Sequence, residues 1–111
     1  MGKSKAIRTL ERANGGPLTL GRMLWAIRTG EELTLEAFAT PLGVSRQRLN
    51  DIERGRVSIS AERAAEWAEI LGYSPAQFVR LALQAQLDAA GLKGLNVEVT
   101  GKLTAKLRKA G

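Results

Sequence analysis

Glycines at short intervals are the feature that most constrains the fold of this chain. Each follows a run of apolar residues at helical spacing, and the five positions are Gly30, Gly43, Gly55, Gly72 and Gly91. Glycine adopts the left-handed conformation that commonly ends a helix without a steric penalty, so each position is a natural helix stop. The segments between them leave room for helices of roughly two to four turns. The spacing therefore predicts an all-α fold built from short helices.

The first two helices follow from apolar spacing and capping residues. Residues 18–29 carry leucines and isoleucine on one helical face, which predicts a first helix there. Thr34 is a suitable N-cap for a second, shorter helix. Pro41 lies within that helix and has no backbone N–H, so we expect the second helix to end or bend near Thr40.

A third helix is predicted from Ser45, its N-cap, to Gly55. Leu49 and Ile52 lie on its inward face. The opposite face is polar and carries Arg46, Gln47, Asn50, Asp51 and Arg54. In most helices such a face is only a solvated surface. Here a tight glycine turn separates it from the preceding short helix, and residues 33–56 have the spacing of a helix-turn-helix.

Base recognition is the chemistry that these polar residues match. Arginine can bind guanine O6 and N7, and glutamine or asparagine can bind adenine N6 and N7. We therefore predict base contacts for Arg46, Gln47 and Asn50, and Asp51 could accept a hydrogen bond from cytosine N4. The basic residues near the helix ends suit phosphates, which fix register and carry no sequence information. The predicted phosphate contacts are Thr34, Arg48, Arg54 and Arg56.

Two further helices are predicted after Ser60 and after Ser74. Pro75 at the first helical position and Gln77 two residues later strengthen the second of these starts. Trp25 and Trp67 are predicted to be core residues, with partner contacts as the alternative. The fifth helix has two apolar stripes where one suffices for a small core, so the second stripe is predicted to contact another copy of the chain or, alternatively, to be covered within one monomer. That second stripe consists of Val79, Leu83 and Leu87.

Residues 95–100 alternate apolar and polar side chains, as a half-buried strand does. No partner strand is visible elsewhere in the sequence, so we predict antiparallel pairing with the same strand of a second protomer, through Val97 and Val99. Disorder of this segment is the alternative. The predicted organisation is a basic arm over residues 1–17, a helix-turn-helix domain with a dimerisation helix over 18–91, and a strand with a basic tail over 92–111.

Composition narrows the function. The chain of 111 residues has no cysteine and no histidine, so no metal, cofactor or redox chemistry is predicted. No group of carboxylates, lysines or hydroxyls suggests a catalytic pocket, which argues against an enzyme. The net charge of +6 is concentrated at the two ends of the sequence, where the basic arms either bind an anionic partner or are solvated tails. No export signal or membrane span is evident, so a cytoplasmic protein is predicted.

The run LTLEAFATPLGVSRQRLNDIERGR resembles the helix-turn-helix of the phage-repressor-like regulators, the XRE family, without a gap. The resemblance covers roughly residues 18–85 and implies a five-helix, lambda-repressor-like domain that works as a dimer on a palindromic operator. It also implies the base contacts given above, phosphate contacts for Arg54 and Arg56, and a structural salt bridge between Arg28 and Glu53. Leu35 stands where the family often has a phosphate-binding glutamine, and Pro41 is also unusual, so docking details are expected to differ.

The sequence therefore favours a homodimeric transcriptional repressor that binds double-stranded DNA sequence-specifically. A second hypothesis comes from the stretch ISAERAAEWAEILGYSPAQFVRLALQAQLD, which is more loosely similar to HigA-type antitoxins. Those proteins repress their own operon and neutralise a toxin. Under that hypothesis the main partner is a toxin protein, and DNA binding is autoregulatory.

Overall fold

The computed structural model describes residues 18–103, and within them it contains five helices and no strand. The helices are α1 (Leu20–Gly30), α2 (Leu35–Leu42), α3 (Arg46–Glu53), α4 (Ala61–Leu71) and α5 (Pro75–Ala89). The prediction of an all-α, five-helix domain is confirmed. The predicted basic arm over residues 1–17 and the part of the tail after residue 103 lie outside the described residues.

Hydroxyl side chains begin all five helices. In each case the hydroxyl oxygen accepts a hydrogen bond from the backbone N–H three residues later, which satisfies a donor that has no partner within the helix. The capping residues are Thr19, Thr34, Ser45, Ser60 and Ser74. The starts predicted from Thr34, Ser45, Ser60 and Ser74 are confirmed.

Pro41 does not end the second helix. The helix does not end at Thr40, because α2 continues through Pro41 to Leu42. The alternative, a bend near Thr40, stays a prediction. The missing donor of Pro41 lies in the last turn, where the helix is closed by other bonds. Gly43, at φ 73°, donates to the Thr40 carbonyl at 3.1 Å, and the Val44 N–H donates to the Ala39 carbonyl at 3.3 Å.

Contacts between Cα atoms divide the chain at Val57 and Ser58 into an N-terminal unit and a C-terminal unit. In the N-terminal unit, α1 and α2 both pack against α3. In the C-terminal unit, α4 and α5 pack against each other. The largest fully buried side chains are Met23, Leu24 and Leu49 in the first unit, and Trp67 and Phe78 in the second.

The two tryptophans have different environments. Trp67 is 1% exposed, which confirms the prediction that it is a core residue. Trp25 is 42% exposed, so the same prediction is wrong for that residue. The buried face of α1 runs through Leu24 and Ile27, and position 25 lies about 100° around the helix from its neighbour. The Arg22 guanidinium lies 5.6 Å from the centre of the Trp25 ring.

The chain after α5 turns back at Gly91, whose φ is 82°. The Leu92 N–H donates to the Leu87 carbonyl at 2.8 Å, which closes the end of the helix. Residues 95–100, predicted as a strand, have no strand partner in the single chain. No helix among the described residues has the length and apolar character needed to cross a membrane.

Candidate nucleic-acid interface

A close backbone approach fixes α1 against the end of α3. Gly21 is buried, and a Cβ atom added there would lie 2.8 Å from the Glu53 carbonyl oxygen and still closer to that of Ile52. Both neighbours are backbone atoms, so a side chain at position 21 would force the two helices apart. Glycine at this position therefore sets the distance between α1 and α3.

Arg28 and Glu53 form the main polar contact between the same two helices. The Arg28 Nε donates to Glu53 Oε2 at 2.8 Å, and its Nη2 donates to Oε1 at 3.1 Å. The remaining Nη1 donates to the Leu33 carbonyl at 2.9 Å. The Glu53 side chain is only 4% exposed and that of Arg28 15% exposed. This bidentate geometry ties α1, the following turn and the end of α3 together.

The turn between α2 and α3 fixes the start of α3. Gly43 takes the left-handed conformation that a tight turn requires, at φ 73°. The Ser45 hydroxyl then accepts from the Arg48 N–H at 3.0 Å, so α3 begins immediately. Leu49 is fully buried on the inner side of α3. The first turn of α3 consequently faces solvent, and Arg46, Gln47 and Arg48 are all exposed.

The polar face of α3, defined as Arg46, Gln47, Asn50, Asp51 and Arg54, is internally hydrogen-bonded. Gln47 Nε2 donates to Asp51 Oδ1 at 3.2 Å, and Arg54 Nε donates to Asn50 Oδ1 at 3.2 Å. Arg56, just beyond the helix, also reaches Asp51 Oδ1, at 3.3 Å. Sequence reasoning missed these pairs, although two of them have the i, i+4 spacing that brings helical side chains together.

The charge on this surface is more positive than the sequence count suggests. Residues 44–58 contain four arginines against Asp51 and Glu53. Because Glu53 is buried and paired with Arg28, Asp51 is the acidic side chain that remains on the outer side of this segment. The Asp51 side chain is 25% exposed, and that of its partner Arg56 is 60% exposed. The surface therefore offers guanidinium and amide donors to an anionic, hydrogen-bonding partner.

Thr34 is the N-cap of α2, the helix that precedes α3. Its hydroxyl oxygen accepts from the Ala37 N–H at 3.1 Å, so the hydroxyl hydrogen is still available as a donor. The start of a helix also carries a partial positive charge. Both properties suit the phosphate contact predicted for this residue.

The residues predicted for a dimer interface all lie in the C-terminal unit. Val79, Leu83 and Leu87 on α5 are partly exposed, whereas Phe78, Leu81 and Ala82 on the same helix are buried. Val97 and Val99 are also partly exposed. The second stripe of α5 is thus partly exposed in the single chain, and its contact with another copy stays a prediction.

A family model described as helix-turn-helix matches residues 26–78. The matched range includes all of α2, α3 and α4 and the first turn of α5. No curated protein and no solved structure matches the chain at a significant level. The match supports the resemblance of the α2–α3 region to phage-repressor-like regulators, and it gives no support to the looser similarity with HigA-type antitoxins.

Proposed function

We propose that this chain, which carries an XRE-like helix-turn-helix domain in residues 26–78, is a regulator that reads duplex DNA with the first turns of α3. The family match over these residues supports a DNA-binding transcriptional regulator. The proposal that α3 reads bases rests on its polar face, which is exposed at the N-terminal end of the helix. The inner side of α3 is fixed against α1 by the close approach of Gly21 and by the Arg28–Glu53 pair. A helix fits the width of the major groove.

The base contacts are assigned by side-chain chemistry. Arg46 is exposed at the first position of α3 and suits guanine O6 and N7. Gln47 keeps its carbonyl oxygen and one N–H for adenine while its other N–H is bonded to Asp51. Asn50 suits adenine as well, although its carbonyl oxygen accepts from Arg54 in the free protein. These three side chains are the proposed sequence readers.

Asp51 is proposed to act mainly through Gln47 rather than by accepting from cytosine. Its Oδ1 accepts from both Gln47 and Arg56, so the carboxylate orients the amide of one and the guanidinium of the other. Asp51 is in this sense a positioning residue. The phosphate contacts are assigned to residues around the three proposed sequence readers, namely Thr34, Arg48, Arg54 and Arg56.

The proposed active form is a homodimer that represses transcription from a palindromic operator. Two copies of α3 would enter successive major grooves on one side of the duplex, about 34 Å apart. The half-sites would then be separated by one helical turn, or about 10 base pairs. Bound across a promoter, such a dimer blocks access of the transcription machinery.

Selection of bound duplexes from a random DNA library, at near-physiological salt, tests this proposal without a guess about the operator. The expected result is a palindromic motif with guanine and adenine at fixed positions of each half-site. Arg46→Ala is then expected to weaken binding to the selected site by roughly 1–3 kcal/mol and to relax one base preference. Lys93→Ala, an exposed change in the C-terminal unit, is the matched control. Equal weakening of selected and random DNA by Arg46→Ala would show that Arg46 does not read a base.

A further inference from the structure

The side chain of Gln84 on α5 binds the backbone of the segment that follows the helix. Its Nε2 donates to the Leu95 carbonyl at 2.8 Å, and its Oε1 accepts from the Val97 N–H at 2.9 Å. The second hydrogen of Nε2 is directed to Asp88 Oδ1, at 3.1 Å. One group that bonds the carbonyl of one residue and the N–H two residues later reproduces the pattern of a neighbouring parallel strand. Gln84 therefore acts as a substitute for a strand along one edge of this segment.

The opposite edge has no such substitute. In an extended chain, the backbone groups of alternate residues point to opposite edges. Leu95 and Val97 bond towards α5. Because the alternating sequence predicts an extended backbone here, we expect the N–H and C=O groups of Asn96 and Glu98 to point away from α5. No hydrogen bond of the described residues involves these groups. Side-chain exposure alternates with the same period, because Val97 and Val99 are half-buried and the residues beside them are exposed.

We propose that residues 95–99 pair with the same residues of a second copy as an antiparallel ribbon centred on Val97. This inference rests on the homodimer proposed above and specifies where the two copies meet. A two-fold dimer interface must be complementary to itself. With Asn96 and Glu98 forming the ladder bonds, the two-fold axis passes through a non-hydrogen-bonded pair, Val97 opposite the partner's Val97.

This register makes the side chains complementary. It places Leu95 opposite the partner's Val99 on one face, and Asn96 opposite the partner's Glu98 on the other. Leu95 is 55% exposed in the single chain, and pairing gives it an apolar neighbour. A ribbon centred on Glu98 would instead set two carboxylates directly opposite each other, which is destabilising. The register centred on Val97 avoids this repulsion, and it places Leu95, Val97 and Val99 all opposite apolar partners.

The hydrogen bonds from Gln84 on α5 explain how such a short ribbon can be stable. An isolated two-stranded ribbon is marginally stable in water. Here each strand is already held in position by Gln84, so part of the entropy cost of ordering it is met within the monomer. The partly exposed stripe of α5, Val79, Leu83 and Leu87, lies in the same unit and offers further apolar surface.

Single cysteines test the register directly, because the chain has no cysteine of its own. Across a non-hydrogen-bonded antiparallel pair the Cα atoms are about 4.5 Å apart, within the range of a disulfide. Val97→Cys in the full chain, oxidised at micromolar concentration without DNA, is expected to form a covalent dimer on a non-reducing gel. Its rate should exceed that of Lys93→Cys, an exposed control, by roughly a hundredfold, because paired thiols meet at millimolar effective concentration.

A mixed experiment fixes the register. Asn96→Cys and Glu98→Cys should each cross-link slowly alone, but an equimolar mixture should give a heterodimer rapidly, since these positions face each other about 5.5 Å apart. Rapid self-cross-linking of Glu98→Cys would overturn the register, and equal rates for Val97→Cys and Lys93→Cys would overturn the ribbon. Neither result involves DNA, so failure of the ribbon and failure of DNA recognition can be told apart.

Discussion

The two units of this molecule use polar side chains in different ways. In the N-terminal unit, the Arg28–Glu53 pair is buried and joins two helices, while the exposed polar side chains of α3 bond to one another. In the C-terminal unit, Gln84 binds backbone groups and leaves the other edge of the same segment unbonded. The N-terminal unit therefore exposes polar side chains to a binding partner, whereas the C-terminal unit exposes backbone N–H and C=O groups.

This difference bears on what each surface can recognise. The exposed pairs on α3 are satisfied in the free protein and contribute little to stability individually, so they can exchange their partners for bases and phosphates at small cost. A main-chain edge carries no sequence information and suits another strand. Under the two proposals above, the N-terminal unit reads DNA and the C-terminal unit holds a second copy.

The largest expected effect comes from removing the buried carboxylate of the N-terminal unit. Glu53→Ala leaves the Arg28 guanidinium largely buried without its charged partner, which is expected to lower the free energy of unfolding by about 3 kcal/mol or more. Urea denaturation followed by circular dichroism measures this. Glu66→Ala, at an exposed position of α4, should change stability by less than about 0.5 kcal/mol. Similar losses in both variants would show that the pair does not fix α3.

The next effect tests the close approach of α1 and α3. Gly21→Ala places a Cβ against two backbone carbonyls and is expected to lower the free energy of unfolding by about 1–3 kcal/mol, despite the better helix propensity of alanine. Gly30→Ala is the matched control, since nothing lies within 4 Å of its added Cβ. That variant should be neutral or slightly more stable. A stable Gly21→Ala protein would mean that α1 can shift without cost.

The C-terminal unit is tested by a pair of glutamines on one helix. Gln84→Ala removes both bonds to the segment 95–97 and is expected to weaken dimerisation about tenfold, equivalent to about 1.4 kcal/mol, with a smaller effect on monomer stability. Gln86→Ala, an exposed position two residues away, is the control. Sedimentation equilibrium over a concentration series gives the dissociation constants. If the two variants dimerise equally well, Gln84 does not prepare the segment for pairing.

Sequence predictability differed between the units for a physical reason. Caps such as Ser45 and the glycine stop at Gly43 act within a few residues, so the helices around the recognition surface could be predicted locally. The exposure of Trp25 depends on which face of α1 is covered, and the tie from Gln84 to Val97 spans 13 residues. The contact of Gln84 with Val97 leaves no periodic signal, whereas Trp25 lies off the apolar face of α1 that the sequence already shows. The sequence shows the alternation over residues 95–100, but it does not show that the side chain of Gln84 binds the backbone of this segment.

The last expected effect concerns selectivity rather than stability, and it separates two roles for Asp51. Asp51→Ala frees Arg56 and removes a negative charge beside the reading surface, so affinity for random DNA should rise severalfold with a steeper salt dependence. It also leaves the Gln47 amide without its acceptor, so preference at the adenine should fall. The ratio of selected to random affinity is expected to drop about tenfold, or about 1.4 kcal/mol.

Asp51→Asn is the variant that distinguishes orientation from charge. It keeps an oxygen that can accept from Gln47 but carries no charge, so it should raise affinity for random DNA while retaining the adenine preference. Competition binding against single-base variants of the selected site measures both quantities. If Asp51→Ala instead loses preference only at a cytosine position, Asp51 reads a base directly, as the sequence alone suggested. The hydrogen bonds from Gln47 and Arg56 to Asp51 would then break when DNA binds, so they would not orient Gln47. Residues 95–97, in contrast, are proposed to keep their bonds to Gln84 when a second copy binds.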